Sequence, residues 1–599
     1  MTKISASKPP QSFLGNLPQW DLTDLYPDTE CADLKDDLIQ VERMAKDFSK
    51  AFRGKLKDLT GKKFGTAIAE YEDIEEVLGR VLSYAQLVYA GDVSDPEIGR
   101  FYQTMQEKIN EITAHLLFFA IELNAIDDGV LNKKLRASEA TKYQPWLKNL
   151  RAFKPHQLEE QLESLLHDKR VVGQGAWCRL FDETMADMRF EQGEKKLTSE
   201  EVMNMLSDPD EKARRSAAAI LGKELSMHAR TFSLITNTLA KDKEIEDRWR
   251  SLETPQSSRN LSNQVEDRVV DALSEAVTQS YRDISHRYYK LKAKWFGKEQ
   301  LDHWDRNAPL PNADNKIIPW EQATEVVLAA YKDFSPELAR VAVNFFDKPW
   351  IDAAVRPGKS SGAFAHPTVP SVHPYLLLNY QGKTRDVMTL AHELGHGCHQ
   401  VLAGPQGALL ADTPLTLAET ASVFGEMLTF RKLLNIENDP LQKKVMVAGK
   451  VEDMINTVVR QIAFFNFELR VHQARRDAEL TADAICDLWI EVQSESLGPA
   501  VRLDDNYRWY WTYIPHFIHS PFYVYAYAFG DCLVNSLYSV YEQSPNGFEN
   551  KYLDLLRAGG SKRHAEMLAP FGLDASDPAF WQKGLGIVKG LIDELDAME

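Results

Sequence analysis

Apolar residues recur every three to four positions through much of the chain, as they do along the buried face of an α-helix. The clearest stretch runs from residue 68 to residue 88, where the apolar positions are Ile68, Tyr71, Ile74, Val77, Leu78, Val81, Leu82, Ala85 and Val88. Similar spacing covers most of the first 170 residues and residues 199–252, whereas strand-like alternation is rare. The pattern predicts a mainly α fold with a long amphipathic helix over residues 68–88.

Glycines interrupt this helical pattern between Val171 and Gly193, and Leu197-Thr-Ser-Glu-Glu201 then has the composition of a new helix start. The chain has 599 residues, several times the usual length of one domain. We therefore predict two lobes, an N-terminal helical lobe of residues 1–200 and a second lobe of residues 201–599. Residues 305–319 contain three prolines and predict a long loop.

One short apolar run predicts a β-strand. Tyr375-Leu-Leu-Leu-Asn-Tyr380 lies between Pro374 and Gly382, and such bounded runs are typical of buried strands. A short buried helical turn is the alternative, because periodicity does not separate the two at this length.

Charge and composition limit the classes of binding partner that the chain can have. Lysine and arginine total 70 and aspartate and glutamate total 88, a net charge of −18 that would repel nucleic acid. The N-terminal MTKISASKPPQSFLGNLPQW lacks the apolar segment of a signal peptide, and the chain has no run of about 18 apolar residues. The five cysteines are scattered and never form a CxxC pair. We expect a cytoplasmic protein without a nucleic-acid or membrane partner.

Residues 384–405 combine a helix with a metal-binding pattern. Thr384 is a candidate N-cap, Asp386 suits the positive end of the helix dipole, and Gly404-Pro405 is a stop, so we predict a helix over residues 385–403. His392 and His396 are one turn apart and can project from one face to hold a single zinc ion.

Glu393 lies about 100° around this helix from His392, where a carboxylate can act as the general base on a water activated by zinc. The alternative is that HExxH arises by chance on a surface helix. Apolar neighbours such as Val387 and Leu394 indicate instead a buried helix beside a cleft. Burying these histidines and the glutamate without partners would lower the stability of the fold by on the order of 2 kcal/mol or more. A bound zinc ion would supply the missing partner, so the pattern favours zinc.

A catalytic zinc needs a third protein ligand, for which there are two candidates. His399 faces nearly the same way, but it lies about 10 Å along the helix axis from His392. Glu419 is in Leu417-Ala-Glu-Thr-Ala-Ser-Val-Phe-Gly-Glu426, the start of a second predicted helix. Thr416-x-x-Glu419 also matches a capping box, in which the Glu419 carboxylate would accept hydrogen bonds from backbone N–H groups instead of binding a metal. Glu426 is a candidate to orient a ligating histidine, or else a solvated surface residue.

A tyrosine-rich stretch follows Ser520-Pro521, which predicts a helix start. A phenol can donate to a developing oxyanion, and such donors are worth about 3 kcal/mol, although tyrosines on helices also fill cores. Helical spacing places Tyr523 and Tyr527 on one face and groups Tyr525 with Phe522 and Phe529.

Three segments together resemble the oligoendopeptidase F branch of the thimet oligopeptidase family: AHELGHGCHQ at 391–400, LAETASVFGE at 417–426, and residues 513–530. Weaker similarities extend this over nearly the whole chain. The resemblance implies one zinc ion per chain, held by His392, His396 and Glu419. It also implies a histidine and a tyrosine that contact the scissile carbonyl oxygen across a deep cleft. We expect these to be His516, with His519 as alternative, and Tyr525, with Tyr523 in reserve.

The predicted strand at 375–380 resembles the family's substrate-edge strand, to which an extended peptide adds by backbone hydrogen bonds. The substrate-binding candidates are Gly362, Ala363, Phe364, Tyr375, Leu377 and Asn379.

The sequence thus predicts a two-lobed, mainly α metallopeptidase with a deep cleft and a small β-sheet beside the active site. Residues 201–599 would form the catalytic zinc-peptidase domain. We expect a zinc oligoendopeptidase that acts on short unfolded peptides. A peptidyl-dipeptidase or carboxypeptidase on the same scaffold and a non-catalytic peptide-binding protein are the alternatives.

Overall fold

The computed structural model describes residues 13–311 and 316–598. Residues 1–12 of the N-terminal segment and residues 312–315 of the predicted loop lie outside this description. Helices dominate the described chain, which confirms the mainly α prediction. The α-helices are α1 Ala32–Phe52, α2 Gly61–Gly91, α3 Pro96–Thr113, α4 Leu117–Ala125, α5 Asp128–Lys134, α6 Ser138–Thr141, α7 Gln144–Leu150, α8 Glu160–Arg170, α9 Gln174–Asp187, α10 Ser199–Met205, α11 Glu211–Met227, α12 Ala229–Trp249, α13 Ser257–Ser262, α14 Asp267–Gln279, α15 Arg287–Trp295, α16 Trp320–Phe334, α17 Pro336–Asp347, α18 Thr384–Ala403, α19 Leu415–Ile436, α20 Pro440–Met454, α21 Arg460–Asp477, α22 Ala482–Leu497, α23 His516–His519, α24 Tyr525–Gln543, α25 Phe548–Arg557, α26 His564–Leu568 and α27 Pro578–Ala597.

The strands are short and form three small sheets. They are β1 Phe190–Gln192, β2 Lys195–Leu197, β3 Leu301–Asp302, β4 Ile351–Asp352, β5 Phe364–His366, β6 Tyr375–Leu377 and β7 Val501–Arg502. Strands β1 and β2 pair antiparallel, and β3 pairs parallel with β7. The third sheet has the order β4-β6-β5, with β6 parallel to β4 and antiparallel to β5.

Contacts divide the chain into two compact units, each built from three segments. Unit 1 comprises Met1–Lys154, Asn315–Ile436 and Gln543–Gly572, and unit 2 comprises Pro155–Asp314, Glu437–Glu542 and Leu573–Glu599. The predicted boundary at residue 200 does not coincide with this division. Residues 155–200 group with unit 2, where Phe181 of α9 packs edge-on against Phe232 of α12 at 5.7 Å between ring centroids. The glycines at 173 and 175 mark the start of α9 rather than a border between units.

Local signals in the sequence agree well with the observed helices. The periodic stretch 68–88 lies inside α2, whose first turn is capped by the Thr60 hydroxyl, which accepts the Lys63 N–H at 3.3 Å. Helix α10 starts after Thr198, which forms a capping box with Glu201 as the sequence predicts. The strand predicted at 375–380 is present, but it is only three residues long.

No single helix among the described residues is long and apolar enough to cross a bilayer. Two consecutive helical segments, Pro96–Ala125 and Asp128–Lys134, are together long and apolar enough, but the chain bends by 108° between them.

Candidate active site

Helix α18 carries the two histidines of the predicted metal motif. Its N-cap is Lys383 and not Thr384, because the Asp386 carboxylate accepts the backbone N–H groups of Lys383 and Gln381, both at 2.9 Å. The helix continues without interruption to Ala403, so His392 and His396 lie one turn apart with ring centroids 5.0 Å from each other.

Helix α19 brings Glu419 to the same place. Its Oε2 lies 3.3 Å from Nε2 of His392 and 3.4 Å from Nε2 of His396, and it also accepts the Ser422 hydroxyl at 2.7 Å. Because this oxygen faces the two imidazoles, the contacts favour a ligand role for Glu419 over the capping box with Thr416.

These three side chains fit a zinc ion. Their ligand atoms lie within 4.8 Å of one another. Tetrahedral coordination at about 2.0–2.1 Å separates ligand atoms by about 3.4 Å, close to the distances from Glu419 to each histidine. Two imidazoles and one carboxylate are also a donor set found at catalytic zinc sites, which keep a fourth position open.

Gly395 allows α18 and α19 to approach so closely, and Gly425 makes room for a side chain of α16 that contacts α18. A Cβ at Gly395 would lie 2.5 Å from the Ala421 carbonyl oxygen and 2.6 Å from the Ser422 Cα. The space left by Gly425 is filled by the Tyr331 hydroxyl of α16, which donates to the Ala391 carbonyl at 2.6 Å. The roles of these three residues were not predicted from the sequence, although both glycines stand inside the motifs at 391–400 and 417–426.

Glu426 lies about two turns beyond Glu419, on nearly the same face of α19, and contacts the other nitrogen of His392. Its Oε2 is 3.2 Å from Nδ1 of His392, which leaves Nε2 directed at Glu419. Burial lowers the pKa of His392, but the hydrogen bond to Glu426 and the charge of Glu419 outweigh it and raise the pKa to about 9. The geometry agrees with the predicted orienting role of Glu426.

Glu393 is buried beside the two histidines, with 7 % of its surface exposed. Burial raises the pKa of its carboxyl above the ordinary value, and the positive charges of His392 and His396 oppose this. The backbone N–H of Ala365 in β5 donates to the carboxylate and so links it to the sheet. A desolvated carboxylate next to the metal-binding atoms has the properties of a general base.

His399 does not join the cluster. It is 4 % exposed, and its Nε2 lies 3.3 Å from the Thr413 hydroxyl. Because α18 is regular, His399 lies about one turn beyond His396, and its ring contacts Thr413 instead. The structure therefore does not support His399 as the third ligand.

Unit 2 contains the second group of predicted site residues. The His516 ring lies 6.0 Å from the Tyr523 ring and 5.9 Å from the Tyr527 ring, and its Nε2 is 3.3 Å from the Tyr527 hydroxyl. These three partly exposed side chains form the His516 cluster. His519 instead lies 2.8 Å from an Asp182 carboxylate oxygen, so it is engaged elsewhere.

The structure does not favour Tyr525 for the predicted contact with the scissile carbonyl. This side chain is 0 % exposed, packs edge-on against Phe465, and accepts a hydrogen bond from the Asn263 amide at 2.8 Å. Helix α24 starts at Tyr525 and not at Ser520, because the preceding turn places Phe522 in the left-handed region with φ 59°.

The turn before α24 is held by two residues that the sequence analysis missed. Glu468 Oε1 accepts the Phe522 N–H at 2.8 Å, and Arg259 donates to the Pro521 carbonyl at 3.3 Å. The same guanidinium lies 5.7 Å from the centre of the Tyr523 ring.

The predicted substrate edge also needs correction. Strand β6 is the central strand and has no free edge: Tyr375 pairs with His366 of β5, and Leu377 pairs with both Phe364 of β5 and Asp352 of β4. Both side chains are buried. The edge next to α18 is β5, which contains Phe364 and follows Gly362 and Ala363. Asn379 fixes the approach to this edge, since its amide donates to the carbonyls of Ser360 and Gly362 at 3.0 and 2.9 Å.

Comparisons with known proteins agree with this geometry. The model of Peptidase family M3 matches residues 204–587, and that of Oligopeptidase F matches residues 122–190. Oligopeptidase PepF of Bacillus subtilis (strain 168) is 24% identical over 598 residues, covering 97% of this chain and 87% of the relative. An Oligoendopeptidase F homolog of Borreliella burgdorferi is 25% identical over 583 residues, covering 96% and 97%.

Solved structures share the fold. A crystal structure described as a peptidase from Chlamydophila abortus superposes with TM-score 0.85 at 22% identity, covering 97% of this chain and 98% of that one. Oligoendopeptidase-F from Enterococcus faecium gives TM-score 0.71 at 21% identity, covering 94% and 98%.

The family model spans more than half of the chain. The chain therefore belongs to Peptidase family M3 and is a metallopeptidase.

Proposed function

We propose that this metallopeptidase is a zinc-dependent oligoendopeptidase that hydrolyses internal bonds of short, unfolded peptides. The observation that carries this proposal is the cluster of His392, His396 and Glu419 beside the buried carboxyl of Glu393. Its relatives, an oligopeptidase and an oligoendopeptidase F homolog, support the substrate class. The deep cleft stays a prediction.

The two histidines and Glu419 would hold one zinc ion per chain. When bound, zinc supplies Lewis acidity, which polarises a peptide carbonyl and makes water a better nucleophile at neutral pH. Glu426 keeps His392 in the orientation and tautomer that this requires, through its contact with Nδ1.

Glu393 would remove a proton from the attacking water and deliver it to the leaving amine. Its raised pKa brings the carboxylate closer to the working pH, where a general base is most effective. The Ala365 N–H restrains the carboxylate on the side of the sheet, so the free oxygen lone pairs are directed away from β5.

Substrate backbone would align with the start of β5. Ala365 directs its N–H to Glu393 and its carbonyl toward Gln400, at 3.5 Å, and so faces away from β6. Ala363 directly precedes β5, and because alternate residues of an extended backbone face the same way, it would have the same orientation. Pairing through backbone groups tolerates many side chains and agrees with a peptidase of broad specificity.

His516 with Tyr523 or Tyr527 would donate to the oxyanion that develops on the scissile carbonyl. Tyr525 is not proposed for this role, because its hydroxyl is buried against Asn263.

The test is cleavage of an internally quenched peptide of about ten residues, a length that spans about 33 Å when extended. Peptides with free and with blocked termini would be compared before and after removal of metal by a chelator and return of zinc. We expect internal cleavage of both peptides, lost with the metal and restored by zinc. Cleavage only at a free terminus would establish the exopeptidase alternative, and zinc-loaded protein that binds without cleaving would establish the binding-protein alternative.

A further inference from the structure

Two arginines of unit 2, Arg306 and Arg460, lie close together beside the His516 cluster. Arg306 follows the short helical turn His303–Asp305, and Arg460 is the first residue of α21. Both side chains are half-buried. Burial, and then the charge of Arg306, lower the pKa of the Arg460 guanidinium, and the charge of Arg460 adds to burial in lowering the pKa of His516. Two like charges therefore face each other next to the proposed oxyanion donor.

The groups around these two arginines supply no negative charge. Apart from each other, the ionisable groups that act most strongly on both are the phenols of Tyr289, Tyr507 and Tyr513. Arg306 donates from Nη1 to the Tyr507 hydroxyl at 3.2 Å, and this hydroxyl donates its own proton to the Gln493 amide oxygen at 2.9 Å. Burial raises the pKa of Tyr289 and of Tyr507 above the ordinary value, so both phenols stay neutral.

The neighbouring carboxylates are already paired with other cations. Asp305 accepts from Arg214 at 2.7 Å, and Glu452 pairs with Lys292. Within the described ranges of the chain, no carboxylate forms an ion pair with either of the two arginines. The Nε–H groups of both arginines are buried without a hydrogen-bond partner in the same part of the chain.

Two half-buried guanidinium groups without a counter-charge favour the binding of an anion, because an uncompensated charge out of water is costly. A guanidinium is planar and can bind a carboxylate through two parallel hydrogen bonds. Since both side chains keep part of their surface exposed, a ligand can reach them. A peptide whose scissile carbonyl contacts His516 would pass close to this pair.

We propose that Arg306 and Arg460 bind a carboxylate of the substrate peptide, which is either its C-terminal carboxylate or an acidic side chain. The inference rests on the proposed peptidase function.

The test uses internally quenched, otherwise uncharged peptides in two arms. In the first arm, a peptide with a free C-terminal carboxylate is compared with its amide. In the second arm, all peptides are amidated, and one glutamate or glutamine is moved along the sequence. The value of kcat/KM is measured for wild type, Arg460→Gln, Arg306→Gln and Arg470→Gln. Arg470 is the matched control, because it lies on the same helix and already pairs with Glu495 at 2.8 Å.

We expect at least one arm in which wild type prefers the carboxylate over its neutral counterpart by about 10-fold or more, as for charged hydrogen bonds. A preference in the first arm assigns the site to the C-terminal carboxylate, and a preference for glutamate at one position assigns it to a side chain. Arg460→Gln and Arg306→Gln bring the ratio close to one, and Arg470→Gln preserves it. Because each of the first two substitutions removes one of two like charges, we expect both variants to fold.

Absence of a preference in both arms, or its persistence in either Arg460→Gln or Arg306→Gln, would overturn the proposal. The same peptides are also bound to zinc-loaded Glu393→Gln, with and without Arg460→Gln, so that affinity is measured independently of cleavage. Cleavage of all peptides without preference rejects the carboxylate site alone. Failure of wild type to cleave any peptide rejects the proposed function, and the binding ratio then decides the carboxylate site.

Discussion

The donor cluster of unit 1 and the His516 cluster of unit 2 owe their geometry to different kinds of backbone. In unit 1, His392, Glu393 and His396 lie on one uninterrupted helix, and a close helix crossing adds Glu419. In unit 2, His516 comes from the four-residue helix α23, and the tyrosines follow a turn with Phe522 at positive φ. Regular helix fixes the first cluster, whereas buried contacts to an irregular turn fix the second.

The largest expected effect, on both zinc affinity and cleavage, follows from substitution of Glu419, which the crossing of α18 and α19 brings to the two histidines. Glu419→Gln removes the carboxylate that faces both imidazoles, and we expect zinc affinity to fall more than about 100-fold, with loss of cleavage. Glu426→Gln is the matched change at a carboxylate that contacts His392 through Nδ1 and does not itself face the metal position. It should lower zinc affinity by about 10–100-fold. Competition titration against a zinc chelator measures both. Equal effects of the two variants would contradict the assignment of Glu419 as ligand.

The second prediction separates the tyrosines of unit 2. At least one of Tyr523→Phe and Tyr527→Phe should lower kcat by about 10²–10³-fold, as expected for loss of an oxyanion donor. Tyr525→Phe should leave kcat unchanged and destabilise the fold by about 1 kcal/mol, because the Asn263 amide loses its acceptor. Steady-state kinetics and denaturant unfolding provide the two measurements. A large loss of kcat in Tyr525→Phe alone would show that Tyr525 is the oxyanion donor after all.

The third prediction concerns the crossing glycine. Gly395→Ala places a methyl group against the backbone of Ala421 and Ser422, so we expect a cost of about 1–3 kcal/mol in stability and weaker zinc binding. Gly449→Ala is the matched control, since a Cβ there meets nothing within 4 Å and alanine is the better helix former. Thermal unfolding and zinc titration would show whether the two substitutions differ in this way.

The smallest effect on catalysis is expected at Glu468, which holds the irregular turn. Burial raises the pKa of its carboxyl to about 8, so the folded chain keeps a proton that the unfolded chain releases above its ordinary pKa near 4.5. Stability from this group therefore falls as pH rises toward 8, by up to about 1.4 kcal/mol per pH unit. Glu468→Gln should remove that slope. Unfolding of both proteins between pH 5.5 and 8.5 tests this, and parallel profiles would contradict it.

The sequence is informative where structure is regular. Helix α18 and the facing of His392 and His396 follow from spacing, because 3.6 residues per turn fixes directions within a helix. Glu419 could not be chosen over His399 by spacing alone, since its position depends on the approach allowed by Gly395. The environment of Tyr525 was not foreseen, because Ser520-Pro521 indicated a helix start and the helix in fact begins five residues later, at Tyr525. The partners of that turn, Arg259 and Glu468, are distant in sequence and give no local signal.

The most direct test of the central claim is the zinc content of purified wild type and Glu393→Gln, measured together with cleavage of the quenched peptide. The account predicts one zinc ion per chain in both proteins and cleavage by wild type alone, because Glu393 moves protons and does not hold the metal. Absence of zinc from wild type, or undiminished cleavage by Glu393→Gln, would contradict it.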